Sequence, residues 1–142
     1  MATFLVKTEP GDYSFADLAR DKRAAWTGVS NAAALIALRA MKQGDRVYIY
    51  HTGAEKAVVG EARVVSHGAY QDPKKPGTND KGEPKFAVVD LAPVGTLASP
   101  VSLASLKADP RCKDFGLVRQ PRLSVMPVSP GVEKVIRDLA RG

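Results

Sequence analysis

The sequence predicts an α+β domain built on a curved or barrel-like β-sheet, and three observations carry that expectation. Apolar segments with a period of two follow one another through hairpin-length links, helix-start signals stand early and late, and no alternating βαβ pattern or internal repeat occurs. At 142 residues, 44% apolar and 25% charged, the chain has the size and composition of one globular domain, taken as residues 1–142.

The elements follow in order. "TFLVKT" reads as a short strand that enters a loop at Glu9, Pro10 and Gly11. In "SFADLARD", Ser14 is an N-cap and Asp17 stands three residues on, the capping-box spacing for one or two helical turns. Asn31 caps a second helix over "AAALIALRAM", where Leu35, Leu38 and Met41 recur at helical spacing and Gly44 is the expected stop. "RVYIYHT" and "AVVGEARVV" are rich in branched and aromatic residues and form a hairpin about the turn "GAEK". Residues 72–84, "DPKKPGTNDKGEP", are dense in proline, glycine and charge; they are expected as an exposed, mobile insertion tip before the strand "KFAVVDLAPV". Ser102 caps a short helix "LASLKA", and "RLSVMPV" returns to strand character. Ser129, followed by Pro130 at the first helical position, starts a closing helix.

Lysine and arginine outnumber the acids by 21 to 15, a formal charge of +6. An anionic partner is expected, nucleic acid first, against the plainer alternative of a solvated basic face. The cations are scattered with no run of five, which argues against a polybasic arm or a membrane anchor. No apolar run approaches the roughly 20 residues that span a bilayer, and the N-terminus lacks a secretory layout. The expectation is therefore an intracellular monomer in the bacterial cytosol or nucleoid, or in the nucleus of a eukaryote. Cys112 is the single cysteine and the two histidines lack HExxH spacing, so no metal site is expected; with no GxGxxG or Walker loop, no nucleotide cofactor is expected either.

The only tryptophan, Trp26, stands among Thr27, Gly28, Ser30 and Asn31. An indole on a short polar turn either caps the core or offers a face to a planar ligand. Asn31 has a helix cap as its competing role, but a capping oxygen leaves the amide nitrogen able to donate to a base. "KTEP" sets a cation, a hydroxyl and a carboxylate in succession: Glu9 can accept from an exocyclic amine and Lys7 can reach a phosphate, or the two form a surface ion pair of little value. Tyr13 and Tyr50 serve a pocket or simply pack. His51 with Glu9 and Ser14 forms an acid-base set on paper, but no nucleophile elbow accompanies it, and a lone strand histidine is more often structural. Cys112 lies between Arg111 and Lys113 without a histidine motif and reads as a spectator.

Four segments in order, "FLVKTEPGDYSFADL", "WTGVSNAAALIALRAMKQGDRVYIYHTG", "VVGEARVVSHGAYQDP" and "PVSLASLKADPRCKDFGLVRQPRLSVMPVS", resemble the EVE domain family of the PUA-like superfamily. The resemblance spans nearly the whole chain. It implies a PUA-like mixed β pseudo-barrel of about five or six strands with flanking helices. It also implies a non-catalytic reader whose pocket receives a methylated or hydroxymethylated base of DNA or RNA. Carried onto this sequence, that pocket uses Trp26, Gly28, Val29 and Asn31, then Thr8, Glu9, Tyr13 and Ser14, then Tyr50 and His51, with Lys7 as the backbone contact. The chain departs from the family pattern at Ser30, at Ala32 to Ala34 and in "GVEKVI", where members often carry Arg, bulky residues and a tryptophan. The alternatives are a PUA-type RNA-binding accessory without modification dependence and a small hydrolase of the same superfamily.

Overall fold

The structure, a computed structural model, describes residues 1–141; position 142, the last of the expected domain, lies outside them. Seven strands form one curled mixed sheet in the order β2-β6-β4-β3-β1-β7, with β5 paired to β6 off that path. The strands are β1 (Thr3–Thr8), β2 (Ala24–Trp26), β3 (Arg46–His51), β4 (Ala57–Val64), β5 (Tyr70–Gln71), β6 (Ala87–Ser102) and β7 (Val125–Pro127). The helices are α1 (Phe15–Asp21), α2 (Ala32–Ala40), α3 (Leu103–Ala108), α4 (Gly116–Arg119) and α5 (Pro130–Ala140). All pairings are antiparallel except that of β1 with β3. The result is a half-barrel of the expected PUA-like, mixed-sheet kind, with seven strands where about five or six were expected.

Most elements arise where local chemistry places them. Ser14 Oγ accepts from the Asp17 amide while Asp17 accepts from the Ser14 amide, so the predicted capping box opens α1. Ser102 and Ser129 cap α3 and α5 as expected. The β3–β4 hairpin forms, yet β3 does not alternate: Val47 to His51 are all buried, because the strand lies in the middle of the sheet and is covered on both faces. Register shifts at Ile49/Tyr50, Val58/Gly60 and Glu61/Ala62 mark bulges that bend β3, β4 and β6 into the curl.

Four expectations need correction. Helix α2 ends at Ala40 with Met41 as an extended C-cap, and Gly44 serves the tight turn beyond it at φ +92°. Trp26 does not stand in a turn; it closes strand β2, opposite Val89. The strand expected over "KFAVVDLAPV" begins at Ala87 and runs on to Ser102, sixteen residues in all, because its ladder with β4 skips Val94, between the paired Pro93 and Gly95, and shifts again between Thr96 and Val101. Segment 72–84 is exposed for most of its length but organised by turns: Asp72 accepts from the Lys74 amide, and Asn79 from the amides of Lys81 and Glu83.

One core packs between sheet and helices, with Leu5, Tyr48, Ile49, Leu38 and Leu91 wholly enclosed. At its edge Arg46 bonds both Glu61 and Glu133, at 3.0 and 2.7 Å, and ties α5 to the sheet. Among the described residues no helix is long and apolar enough to cross a membrane. Gly60 marks the tightest packing: a Cβ there would lie 2.5 Å from the Phe15 ring. Gly60→Ala is expected to cost about 1–3 kcal/mol by displacing that ring and the start of α1. Urea denaturation checks this, and an unchanged midpoint would show that the ring yields freely.

Candidate functional site

The sheet does not close on itself. Between its two ends lies a cleft of about 530 Å³, walled by Lys7 to Glu9 at the end of β1, Asp12 and Tyr13 in the next loop, Ala24 to Asn31, and Ser124 before β7. That volume suits a small planar ligand.

Trp26 forms one wall and also packs against the core, so the two readings of this residue are both realised. Tyr13 meets it edge-on, with ring centroids 6.1 Å apart and planes at 78°. Such pairs contribute about 0.5–1.5 kcal/mol beyond area burial. The Tyr13 hydroxyl donates to Asp21 at 2.9 Å, which fixes the ring in turn. Burial, and then that bond, push the Tyr13 phenol up to about 12; Arg20 first, and Tyr13 second, hold the Asp21 carboxyl below its ordinary value. Tyr13 thus stays an un-ionised donor at neutral pH.

The turn after Trp26 is open to solvent. Gly28 takes φ +79°, which favours glycine, and a Cβ there would meet no atom within 4 Å. Thr27 and Ser30 are exposed, and among the described residues neither side chain makes a hydrogen bond. Asn31 Oδ1 accepts from the Ala34 amide at 3.0 Å, the predicted cap, and leaves its amide nitrogen uncommitted.

On the opposite wall Thr8 Oγ1 donates to the Tyr13 carbonyl and holds the loop in place. Glu9 accepts from the Gly11 amide at 3.1 Å and from Thr52 Oγ1 at 3.2 Å. Each oxygen keeps a lone pair for a further donor. Lys7 lines the cleft, but its ammonium donates to the Pro121 carbonyl at 2.8 Å and lies 5.9 Å from the Tyr50 ring centroid. Burial lowers the Lys7 pKa.

Three expected pocket residues do not line the cleft. Ser14 is committed to the α1 cap. Tyr50 is only 3% exposed and packs beneath Lys7. His51 is buried; its Nε2 accepts from the Phe15 amide at 3.0 Å, and its Nδ1 lies 2.7 Å from Glu55 Oε1. Both bonds are met by the tautomer with the proton on Nδ1. His51, Glu9 and Ser14 therefore form no relay, since each is spent on a separate structural bond. The expected pocket also left out Asp12, Ala24, Ala25, Thr27, Ser30 and Ser124. Thr27 and Ser30 flank Gly28 in the polar segment after Trp26 and Ser124 stands in "RLSVMPV"; the other three carried no signal. The Cys112 thiol is buried, and burial pushes its pKa up despite Arg111 beside it.

A curled mixed sheet with a polar, aromatic-walled cleft at its open mouth defines a PUA-like module. The chain matches the EVE domain family over residues 2–139, and it belongs to that family. It is 29% identical to human thymocyte nuclear protein 1 over 121 residues, 73% of this chain and 53% of that protein. The chain thus spans about half the length of this curated relative. A Rhodopseudomonas palustris protein superposes with a TM-score of 0.87 at 36% identity, over 99% of this chain and 94% of that one. Human THYN1 in complex with 5-methylcytosine-containing DNA superposes equally well, with a TM-score of 0.87 at 26% identity over 100% and 99% of the two chains. An ASCH protein of Zymomonas mobilis, 14% identical with a TM-score of 0.58 over 98% and 99% of the chains, shares the fold alone.

The bond from Phe15 to His51 is the testable part of this anchoring. His51→Ala leaves a buried backbone N–H unpaired and is expected to cost about 1–3 kcal/mol. Thermal or urea unfolding reads that loss. A variant as stable as the parent would mean that water replaces the ring nitrogen.

Proposed function

We propose that the cleft holds one modified base of a nucleic acid, with 5-methylcytosine in DNA as the first candidate, and that the protein reads the base without breaking a bond. The observation that carries this reading is the cleft between Trp26 and Glu9, supported by the 5-methylcytosine DNA bound to human THYN1. In this reading the base stacks on the Trp26 indole, a contact typically worth about 1–3 kcal/mol. Glu9 accepts from the exocyclic amine, and the Asn31 amide donates to the carbonyl edge. Inside the cleft two acids, Glu9 and Asp12, face one cation, Lys7, which suits a neutral base better than a phosphate.

Magnitudes limit what the methyl group supplies. Burying one methyl contributes about 0.8 kcal/mol, roughly fourfold in affinity. A stronger preference must come from shape against Trp26 and from edge hydrogen bonds that one base satisfies and another leaves unpaired. In a duplex the base must also leave the stack, at a cost of a few kcal/mol. The same base is therefore held more tightly in a single strand or at a mismatch than in a perfect duplex.

Trp26→Ala is expected to weaken binding of 5-methyl-2′-deoxycytidine by about ten- to a hundredfold, read by titration calorimetry. A folded variant with unchanged affinity would return the indole to a purely core role, and equal affinity for 2′-deoxycytidine would remove the modification from the reading. Turnover of the nucleoside on prolonged incubation would replace the reader with an enzyme.

Asn31 permits a sharper separation. Asn31→Asp keeps the oxygen that caps α2 and removes the amide donor, so the melting temperature should hold while base affinity falls. Asn31→Ala should also lose about 1 kcal/mol of stability. An Asn31→Asp variant with undiminished affinity would leave the residue as a cap only.

A further inference from the structure

The cleft holds a single cation, one charge against the several phosphates of a strand. Lys7 donates a hydrogen bond to the Pro121 carbonyl and is partly enclosed, so part of its donor capacity is already spent before it can meet a backbone phosphate. A second cavity of about 280 Å³ adjoins the cleft, and Asn31 lines both. Its remaining walls are Ala33 in the first turn of α2 and residues 120–123. Lys7 fastens the carbonyl of Pro121 in that segment and so acts as a positioning residue for it.

The arginines single out one group there. Of the ten in the chain, seven face a carboxylate within 4.0 Å and Arg39 donates to the Pro84 and Lys85 carbonyls. Among the described residues only Arg63 and Arg122 have no such partner. Arg63 belongs to β4, which lines neither cavity, whereas Arg122 is exposed at the edge of the second one. Gln120 lines the same cavity, and its side-chain amide makes no hydrogen bond among the described residues. A guanidinium without a carboxylate, in the same cavity as a free amide and next to a base-sized cleft, supplies uncommitted donors for phosphodiester oxygens.

We infer that the groove bounded by Ala33, Gln120 and Arg122 takes the phosphodiester adjoining the base held over Trp26, with Arg122 as the phosphate ligand and Gln120 as a second donor. The inference rests on the reading of the cleft as a base site. It fixes the path of the strand: the chain leaves the cleft past Asn31 and crosses the segment before β7.

The test compares free 5-methyl-2′-deoxycytidine with a single-stranded pentadeoxynucleotide carrying 5-methylcytosine at its centre, across about 50 to 300 mM salt. Arg122→Ala should weaken the oligonucleotide by about three- to tenfold at low salt and reduce the slope of log affinity against log salt by about 0.7, leaving the nucleoside unchanged. Arg122→Lys should keep most of the slope, since it keeps the charge. Unchanged oligonucleotide affinity and slope in a folded Arg122→Ala variant overturn the assignment, as does an equal loss for the nucleoside. Replacing chloride by sodium phosphate at equal ionic strength should leave oligonucleotide binding intact; specific displacement would make this a free-phosphate site and overturn the strand path. A parent protein that binds no nucleoside, yet shows an Arg122-dependent slope with the oligonucleotide, would remove the base reading while the phosphate contact stands.

Discussion

The parallel pairing of β1 with β3 is the constraint on which the rest of the structure depends. Two parallel neighbours cannot be joined by a hairpin, so residues 9–45 must cross from one end of the pair to the other. That crossover carries α1, β2 and α2, and it delivers β2 to the outer edge of β6 while β7 comes back beside β1. The two ends of the sheet are left apart, and α2 packs against both β7 and β6. The cleft is what remains of that gap. Lys7, Thr8 and Ala24 to Trp26 in its walls are fixed by sheet pairing, and the loops between them are left to close on a ligand.

A crossover with short helices exposes many backbone donors, and the polar residues of this segment are largely spent on them. Ser14 and Asp17 close the start of α1, His51 receives the Phe15 amide, and Asn31 closes α2. Thr8 holds the carbonyl of Tyr13 from the neighbouring strand end. Residues that look like chemistry in the sequence therefore divide in two. Those that meet the backbone hold the cleft in shape, while Thr27, Ser30 and Asn31, whose amide nitrogen is left over from its cap, line it.

The same division explains what the sequence made legible. Caps, the β3–β4 hairpin and the Ser129-Pro130 start of α5 are local signals, and each appears where its residues stand. Strand β2 was not legible, because Ala24 and Ala25 have no intrinsic preference for strand; it exists because β6 offers an unpaired edge. The full length of β6 was hidden by Pro93, Gly95 and Pro100, which interrupt the period that bulges then accommodate. The cleft unites residues 7–13, 24–31 and 124, and no local period reports that proximity. Of the residues that the family resemblance named, Trp26, Gly28, Val29, Asn31, Thr8, Glu9, Tyr13 and Lys7 line one cleft. Ser14, Tyr50 and His51 do not, since Ser14 caps α1 and β3 is buried on both faces, so that its adjacency to β1 places neither of its residues in the cleft.

The turn from Thr27 to Ser30 lies between two fixed points, the β2 pairing and the Asn31 cap, and Val29 is its one side chain packed against the core. Only Gly28 is bound by its backbone. Thr27 and Ser30 are exposed, and among the described residues their side chains make no hydrogen bond. Mutational drift at these positions is therefore free to alter the chemistry presented to a ligand while the scaffold passes unchanged from ancestor to descendant. Under the base-reading proposed for the cleft, a lineage can change its preference at Thr27 and Ser30 in single steps, none of which disturbs a packed side chain.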